Sequence, residues 1–385
     1  MAEKGIAAPV ANRFDHMEIA GAFGDLGTLV PFVVAYISVL QMDPYGVLLA
    51  FGAAMVVCGV VYRTPIPVQP MKAAGAIATT QAAQTLVITP AIVWGASLVT
   101  GIVWLLLGLT GTARHVAKLI ARPVVLGIIL GLGFGFMIGG AKMMSQNWWV
   151  GGAALLGTSL LLTNRVIPAM FLLLLFGAAY GIFSDPALLD ALRDVRMDVR
   201  LPSFALTGIS PDDLLVGALF LALPQLPLTL GNAVIAITEE NNRLFPDRPV
   251  NEGRISVSTG LMNILSACIG GVPMCHGAGG MAGHVQFGAR TGGAPIVLGA
   301  VLLVIATFFS SSVATFLRLF PPSILGVILF LTGAQLALGA CDIGKDKGER
   351  FVTMVTAALA IWNVGIAFLV GVTAYWLNKK GLLRV

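Results

Sequence analysis

The run from Pro65 to Ala76, Pro-Ile-Pro-Val-Gln-Pro-Met-Lys-Ala-Ala-Gly-Ala, restricts the fold more than any other stretch. Its prolines hold the backbone extended. A small-residue helix follows at once, with Lys72 in its first turn. Segments apolar enough to cross a bilayer flank the run on both sides. About 200 residues later the pattern returns as Val272-Pro-Met-Cys-His-Gly-Ala-Gly-Gly280. Extended backbone at membrane depth is tolerated only where it is buried in protein or lines a cavity. Two such breaks, at matching places in two halves, predict a substrate site near the midplane of a transporter.

Composition agrees. Charged residues make up 11% of the 385 and hydrophobic ones 57%, with a mean hydropathy of +0.91. A soluble domain carries about 25% charge, so the chain is expected to be a multi-pass protein of a cell membrane, plasma or inner. The net charge of +5 does not imply a nucleic-acid partner, because basic residues gather in the cytoplasmic loops of such proteins. Met1 to His16 lacks the apolar core of a cleaved leader. The cysteines Cys58, Cys268, Cys275 and Cys341 show no metal-ligand or disulfide spacing and read as small buried side chains. No metal site and no cofactor are expected.

Fourteen apolar segments can be drawn. Two, at 70–83 and 276–288, are shorter than the about 20 residues a full span needs and read as half-helices. The last apolar block divides into 351–363 and 365–378, since one long span would place Lys379, Lys380 and Arg384 outside. With the N-terminus inside, 17 of the 23 Lys and Arg fall on the cytoplasmic side, five outside, and Lys72 within the membrane. Trp148 and Trp149 then mark the outer interface, and Tyr375 with Trp376 the inner one. The order is a cytoplasmic tail (1–16), seven segments (17–183), an extracytoplasmic linker (184–211), seven more (212–378) and a cytoplasmic tail (379–385). An internal repeat is visible. Pro123 to Gly133 matches the stretch from Pro322 at six of eleven positions. Pro70-Met71 matches Pro273-Met274, and Leu26-Gly-Thr28 loosely matches Pro227-Leu-Thr229. Seven segments is an odd number, so the second copy is inverted and the half-helices enter from opposite faces. The linker, weakly amphipathic from Leu188 to Met197, reads as a surface helix or as a lid.

Two helix N-termini aimed at one point supply about one positive charge together. Lys72 adds another, which suits a divalent anion; the alternative is a lysine that snorkels to an interface. Gln69 could donate an amide hydrogen bond. Met71 lies between them. Gly75, Gly277, Gly279 and Gly280 allow close backbone approach or serve helix packing, Ala278 lies among them as a further candidate, and His276 opens the second half-helix. His276 could bind the anion, move a proton, or be a satisfied structural histidine. Gln225, Thr229 and Asn232 share one face of segment eight and either line a cavity or join helices. Glu18 and Asp25, seven apart in the first span, are intramembrane carboxylates and hence candidates for carrying a coupling proton or cation; Glu18 could instead sit at the inner interface. Glu239 and Glu240 are expected to meet cytoplasmic water. Gly127, Gly131, Gly135 and Gly139 form a packing face, where one bundle could slide on another. No His-Glu-x-x-His or Gly-x-Ser-x-Gly motif points to an enzyme.

Gly24-Asp-Leu-Gly-Thr28, Pro67-Val-Gln-Pro-Met-Lys72, Leu223-Pro-Gln-Leu-Pro-Leu-Thr229 and Pro273-Met-Cys-His-Gly-Ala-Gly-Gly280 resemble signature blocks of the molybdate transporters, distant relatives of the sulfate permeases (SulP). The resemblance covers nearly the whole chain. It implies an all-α polytopic fold of seven plus seven inverted segments. A core bundle (segments 1–4 and 8–11) would move against a gate bundle (5–7 and 12–14), with an oxyanion held between the half-helices. In a departure from the wider sulfate-permease pattern, no C-terminal regulatory domain is expected after Val385. The expected function is proton-coupled symport of molybdate into the cell, with sulfate or a general oxyanion as the alternative substrate and a passive anion channel as a more remote one. The partners are that anion, the lipid bilayer and, as an open possibility, a second copy in a homodimer.

Overall fold

The computed structural model describes residues 11–385 apart from 39, 73, 76–77, 79–86, 114, 116–120, 163–168, 202–203, 342, 344–345, 363 and 383–385. The fold is helical almost throughout. Among the described residues four helices are long and apolar enough to cross a membrane. Large apolar side chains stand exposed around the outside, Trp149, Leu160, Phe183 and Trp362 among them, as a lipid-facing surface requires.

Helix starts follow local chemistry. In α3 (Pro44–Tyr62) the Asp43 carboxylate accepts from the Tyr45 N–H, with proline as first residue. In α4 (Pro90–Leu109) Thr89 does the same for Ile92, and in α12 (Glu252–Cys268) Asn251 does so for Arg254. Each satisfies an N–H that the helix itself cannot.

The expected first span, 17–40, is broken. It runs as α1 (His16–Ala22), a 3₁₀ turn at Phe23–Asp25, and α2 (Leu26–Ser38). Segment eight is likewise not one regular helix. Between α9 (Pro211–Val216) and α11 (Ile237–Leu244) it passes through π-helical turns at Gly217–Ala222 and Thr229–Ala236, on either side of α10 (Leu223–Leu228). Pro224 and Pro227 supply no N–H, so the hydrogen-bond ladder slips around them.

Long helices cross at glycines. α3 packs on α14 (Gly293–Phe309) and α12 packs on α4. A Cβ on Gly299 would stand 2.7 Å from the Gly52 carbonyl oxygen, and one on Gly260 would stand 2.5 Å from the Leu105 nitrogen. α5 (Arg122–Met144) lies against α16 (Pro322–Gly339), backbone to backbone at Gly133 with Gly333 and at Gly140 with Gly326. In segment numbers these pairs are two with eleven, nine with four, and five with twelve. Exchanging the halves carries the first pair into the second and the third into itself.

The end of the chain is a hairpin of α17 (Lys347–Trp362) and α18 (Val364–Lys379). Gly348 meets Asn378 and Gly371 meets Thr356, so the two run antiparallel. In the linker, α8 (Ala187–Arg193) turns 109° from α7 (Ala169–Ser184). Leu188 is its buried anchor, while Leu189 and Met197 are exposed. The linker is tied to its surroundings by Arg200, which grips Asp43 at 2.7 and 2.9 Å, by the pair Arg318–Asp185, and by Asp198 N–H donating to Phe308 O at 2.8 Å.

The fold is not purely α. Gln69–Pro70 (β1) and Met274–Cys275 (β2) pair antiparallel, Gln69 opposite Cys275 and Pro70 opposite Met274. The Met71 N–H extends the ribbon by donating to Pro273 O at 2.9 Å. Side chains complete the backbone pairing. Asn263 on α12 accepts from Met274 N–H at 2.9 Å and donates to Met274 O at 2.5 Å, acting as one more strand residue. Ser266 Oγ donates to Val272 O at 2.7 Å. In an apolar interior every such group needs a partner.

Candidate functional site

β1 leads into a helix in which Lys72, Ala74, Gly75 and Ala78 are described; the rest of the expected segment 70–83 lies largely outside the described residues. The Gly75 N–H donates to Met71 O at 2.8 Å, which places Lys72 in the first turn. β2 leads into α13 (Ala278–Gln286), capped by Gly277 in extended conformation. Because β1 and β2 pair, the two helix starts face each other across the ribbon. Their first-turn N–H groups have no partner within the helix.

Gln69 stands at the centre. Its Nε2 donates to Asp25 Oδ1 at 2.5 Å and to Thr28 Oγ1 at 2.7 Å, and Thr28 bonds to the same carboxylate. Gly280 makes this arrangement possible. A Cβ there would stand 2.6 Å from Gln69 Nε2 and 2.8 Å from Asp25 Oδ2. A side chain on Gly277 would collide with Gln69 Oε1 and stand 3.6 Å from Asn232 Nδ2. Among the described residues Lys72 Nζ, Asp25 Oδ2, Gln69 Oε1 and Asn232 Oδ1 are buried without a hydrogen-bond partner. Unsatisfied buried polar atoms are costly; Lys72 Nζ is the donor of the four and a candidate for bonding an anion, while the three oxygens need donors.

Lys72 Nζ lies 4.0 Å from the centre of the Phe136 ring. Phe136 comes from α5. Its ring edge also rests on Gly279, where a Cβ would clash with it. Lys72 and Gly279 therefore meet at Phe136, and Gly277 lies against Gln69; Phe136 is an addition that the sequence reading missed.

Other expected residues have different partners. Gln225 Oε1 accepts from the Ala74 N–H at 3.2 Å and Nε2 donates to Thr229 Oγ1 at 3.0 Å. The pair reaches the first half-helix from the face it shares with Asn232, but Gln225 serves there as a cap for the helix start. Met71 is buried in the apolar core; its backbone belongs to the ribbon. His276 is fully buried. Nδ1–H donates to Pro67 O at 2.8 Å, and Nε2 lies 2.7 Å from Ser258 Oγ. Both ring nitrogens are taken, which makes His276 a strap between the second half-helix and the first extended run, with no donor left for an anion.

Glu18 is buried as well. It accepts from Arg290 N–H at 2.8 Å and lies 3.5 Å from Arg13 Nη2, anchoring α1 about 10 Å along the helix from Asp25. Glu239 is exposed, but Glu240 is not. It is buried and held by Arg243 at 2.7 and 3.2 Å. Burial pushes its carboxyl above the ordinary value, against the pull of Arg243. In the glycine stripe on α5, Gly127 and Gly131 pack on α17 at Thr353, Thr356, Ala357 and Ala360, a helix of the same expected gate bundle.

Ser258, Asn263 and Ser266 also escaped the sequence reading. A signal existed, because polar residues in an apolar segment should serve a cavity or a buried backbone.

Comparison with known proteins gives one result in sequence and one in structure. The family model described as "Molybdate transporter of MFS superfamily" matches residues 17–136 and 217–336, one stretch in each half. "Molybdate transporter 2" of Arabidopsis thaliana is 32% identical over 408 residues, covering 94% of this chain and 87% of the relative. "Molybdate transporter 1" of Chlamydomonas reinhardtii is 27% identical over 474 residues, covering 92% and 89%. Among solved structures, the transmembrane domain of the cyanobacterium bicarbonate transporter BicA matches with a TM-score of 0.58 at 15% identity, over 95% of this chain and 98% of that one. Murine Solute Carrier 26 family member A9, an anion transporter in the inward-facing state, matches with a TM-score of 0.64 at 12% identity, over 98% and 70%. At such identities the likeness is one of fold.

Proposed function

The chain belongs to the molybdate transporter family, and from that premise we propose that it imports molybdate across a cell membrane by proton-coupled alternating access. The seven-plus-seven inverted repeat is part of this reading, supported by the exchange relation among the helix pairs. So are cytoplasmic termini, supported by the distribution of Lys and Arg.

One observation carries the proposal. Lys72 Nζ is buried and without a hydrogen-bond partner, in the first turn of one half-helix and across the ribbon from the start of another. Two helix ends and one ammonium give about two positive charges, the complement of a tetrahedral dianion. Asn232 Nδ2, which faces Gly277, offers an amide N–H to its oxygens; both Gln69 Nε2 protons are already held by Asp25 and Thr28.

Asp25 supplies the coupling. With Lys72 charged and Asp25 ionised, the two side chains cancel. A dianion then enters more easily if a proton arrives on Asp25 with it, since that removes a repelling charge next to Gln69. Each cycle then moves a proton with the anion, and the membrane potential opposes a smaller net charge than it would for the bare dianion.

A thermal-shift titration of the purified protein with molybdate and sulfate, at matched ionic strength, tests the substrate. A ligand at 100 times its Kd stabilises by about 2.7 kcal/mol. A shift at micromolar molybdate, with sulfate needing far more, is expected. Equal shifts would instead make this a general oxyanion carrier. No shift with either would overturn the charge argument.

A further inference from the structure

Two neighbours of the Phe136 ring are positive ends. The Lys72 ammonium stands 4.0 Å from its ring centre. The ring edge rests on Gly279 in the first turn of α13. An aromatic ring carries negative potential on its face and positive potential at its edge, so the face over Lys72 stands where an anion would, while the edge on Gly279 fills the space at the start of α13. Lys72 Nζ has no hydrogen-bond partner among the described residues.

The ring also belongs to the other bundle. Lys72 and Gly279 sit on the half-helices. Phe136 sits on α5, where its Cβ is pressed into α16 at Gly333, a Cβ on which would stand 2.8 Å away. α5 and α16 move together if the bundles move at all, and the ring moves with them.

We propose that Phe136 is a gate-borne latch: its ring covers Lys72 whenever no oxyanion is bound, and the anion displaces it. A carrier that performs net uptake must return without its substrate. A lysine that lost its anion would then have to pass an apolar interface with Asp25 balancing its charge but with no hydrogen-bond partner on its ammonium. The ring gives that charge a partner for the return step. A desolvated cation–ring contact is strong enough to change an equilibrium by about thirtyfold. Exchange of one anion for another never visits the unloaded return and does not need the ring.

The inference rests on the molybdate reading, and proteoliposomes separate the two. Net uptake of labelled molybdate into anion-free vesicles is compared with exchange against internal molybdate. Phe136→Leu keeps apolar bulk and removes the ring. Its net uptake should fall at least about tenfold further than its exchange, and Phe136→Tyr, which keeps a ring, should restore the wild-type ratio. If net uptake and exchange fall together, or neither falls, the latch is wrong and Phe136 is packing. If wild-type protein moves no molybdate in either assay, the substrate assignment fails before any variant is compared. Should the leucine variant not fold, Phe136→Met supports the same comparison.

Discussion

In the proposed coupling, Asp25 decides whether this carrier can accumulate its substrate against a gradient. Its carboxylate is buried, bonded to Gln69 and Thr28, and leaves Oδ2 without a partner beside Gly280. Asn has almost the same shape and can still bond to Gln69, but it carries no titratable proton. Asp25→Asn should therefore keep the molybdate thermal shift. Wild-type uptake should rise as the outside is made more acidic than the inside, and uptake by the variant should not respond. An Asp25→Asn protein that still concentrates molybdate under an imposed pH gradient would remove the carboxylate from coupling. Glu18, the other carboxylate of this span, already has Arg290 and Arg13, so the same substitution there should affect stability and leave the pH response intact.

At the scale of elements, the half-helices exist because their extended lead-ins are satisfied from outside. Asn263 makes two hydrogen bonds with the backbone of Met274 and a third with Thr259 O. Leucine would fill similar space and strand the N–H and C=O of Met274, at about 1–3 kcal/mol for each buried group left unpaired. Asn263→Leu should lower the melting temperature clearly, and the titratable Asn263→Asp should not rescue it, since a carboxylate cannot donate to Met274 O. A melting curve unchanged by Asn263→Leu would mean that water or a shifted ribbon fills the role. This element also shows what the residues revealed and what they withheld. Prolines at 65, 67, 70 and 273 announce extended runs, and Lys72 inside an apolar block announces a charge with a purpose, because both are local properties. Gln69 facing Cys275, Asn263 serving Met274 and Ser258 holding His276 join residues from different segments, so no spacing records them. Whether His276 was free or satisfied stayed open for the same reason. The broken first span and the π turns escaped because hydropathy averages over a turn and registers composition, not hydrogen-bond register. Phe136 had no signal at all: a phenylalanine among glycines in an apolar helix looks like any other lipid-facing or packing residue.

For the whole molecule the question is which close contacts hold a bundle together and which lie between bundles that must move. Glycines distinguish them. Gly299 meets the Gly52 backbone at 2.7 Å for an added Cβ, inside the set of helices that includes both half-helices. Gly27 on α2 meets Leu329 N at 2.9 Å and Leu325 O at 3.1 Å on α16, across the proposed division between core and gate. A methyl group at either place demands a shift of backbone. Within a rigid bundle the fold itself must absorb it. Between bundles a slide absorbs it, moving the protein toward another conformation. Overpacking costs about 1–3 kcal/mol, and at about 1.4 kcal/mol per tenfold that displaces a conformational equilibrium by at least about fivefold. Gly299→Ala should accordingly lower the melting temperature. Gly27→Ala should melt close to the wild type and lose most of its molybdate uptake, because the cycle must pass through the conformation in which these helices touch. If Gly27→Ala instead melts as low as Gly299→Ala, then α2 and α16 belong to one rigid body and the division of the molecule into a core and a gate has to be redrawn.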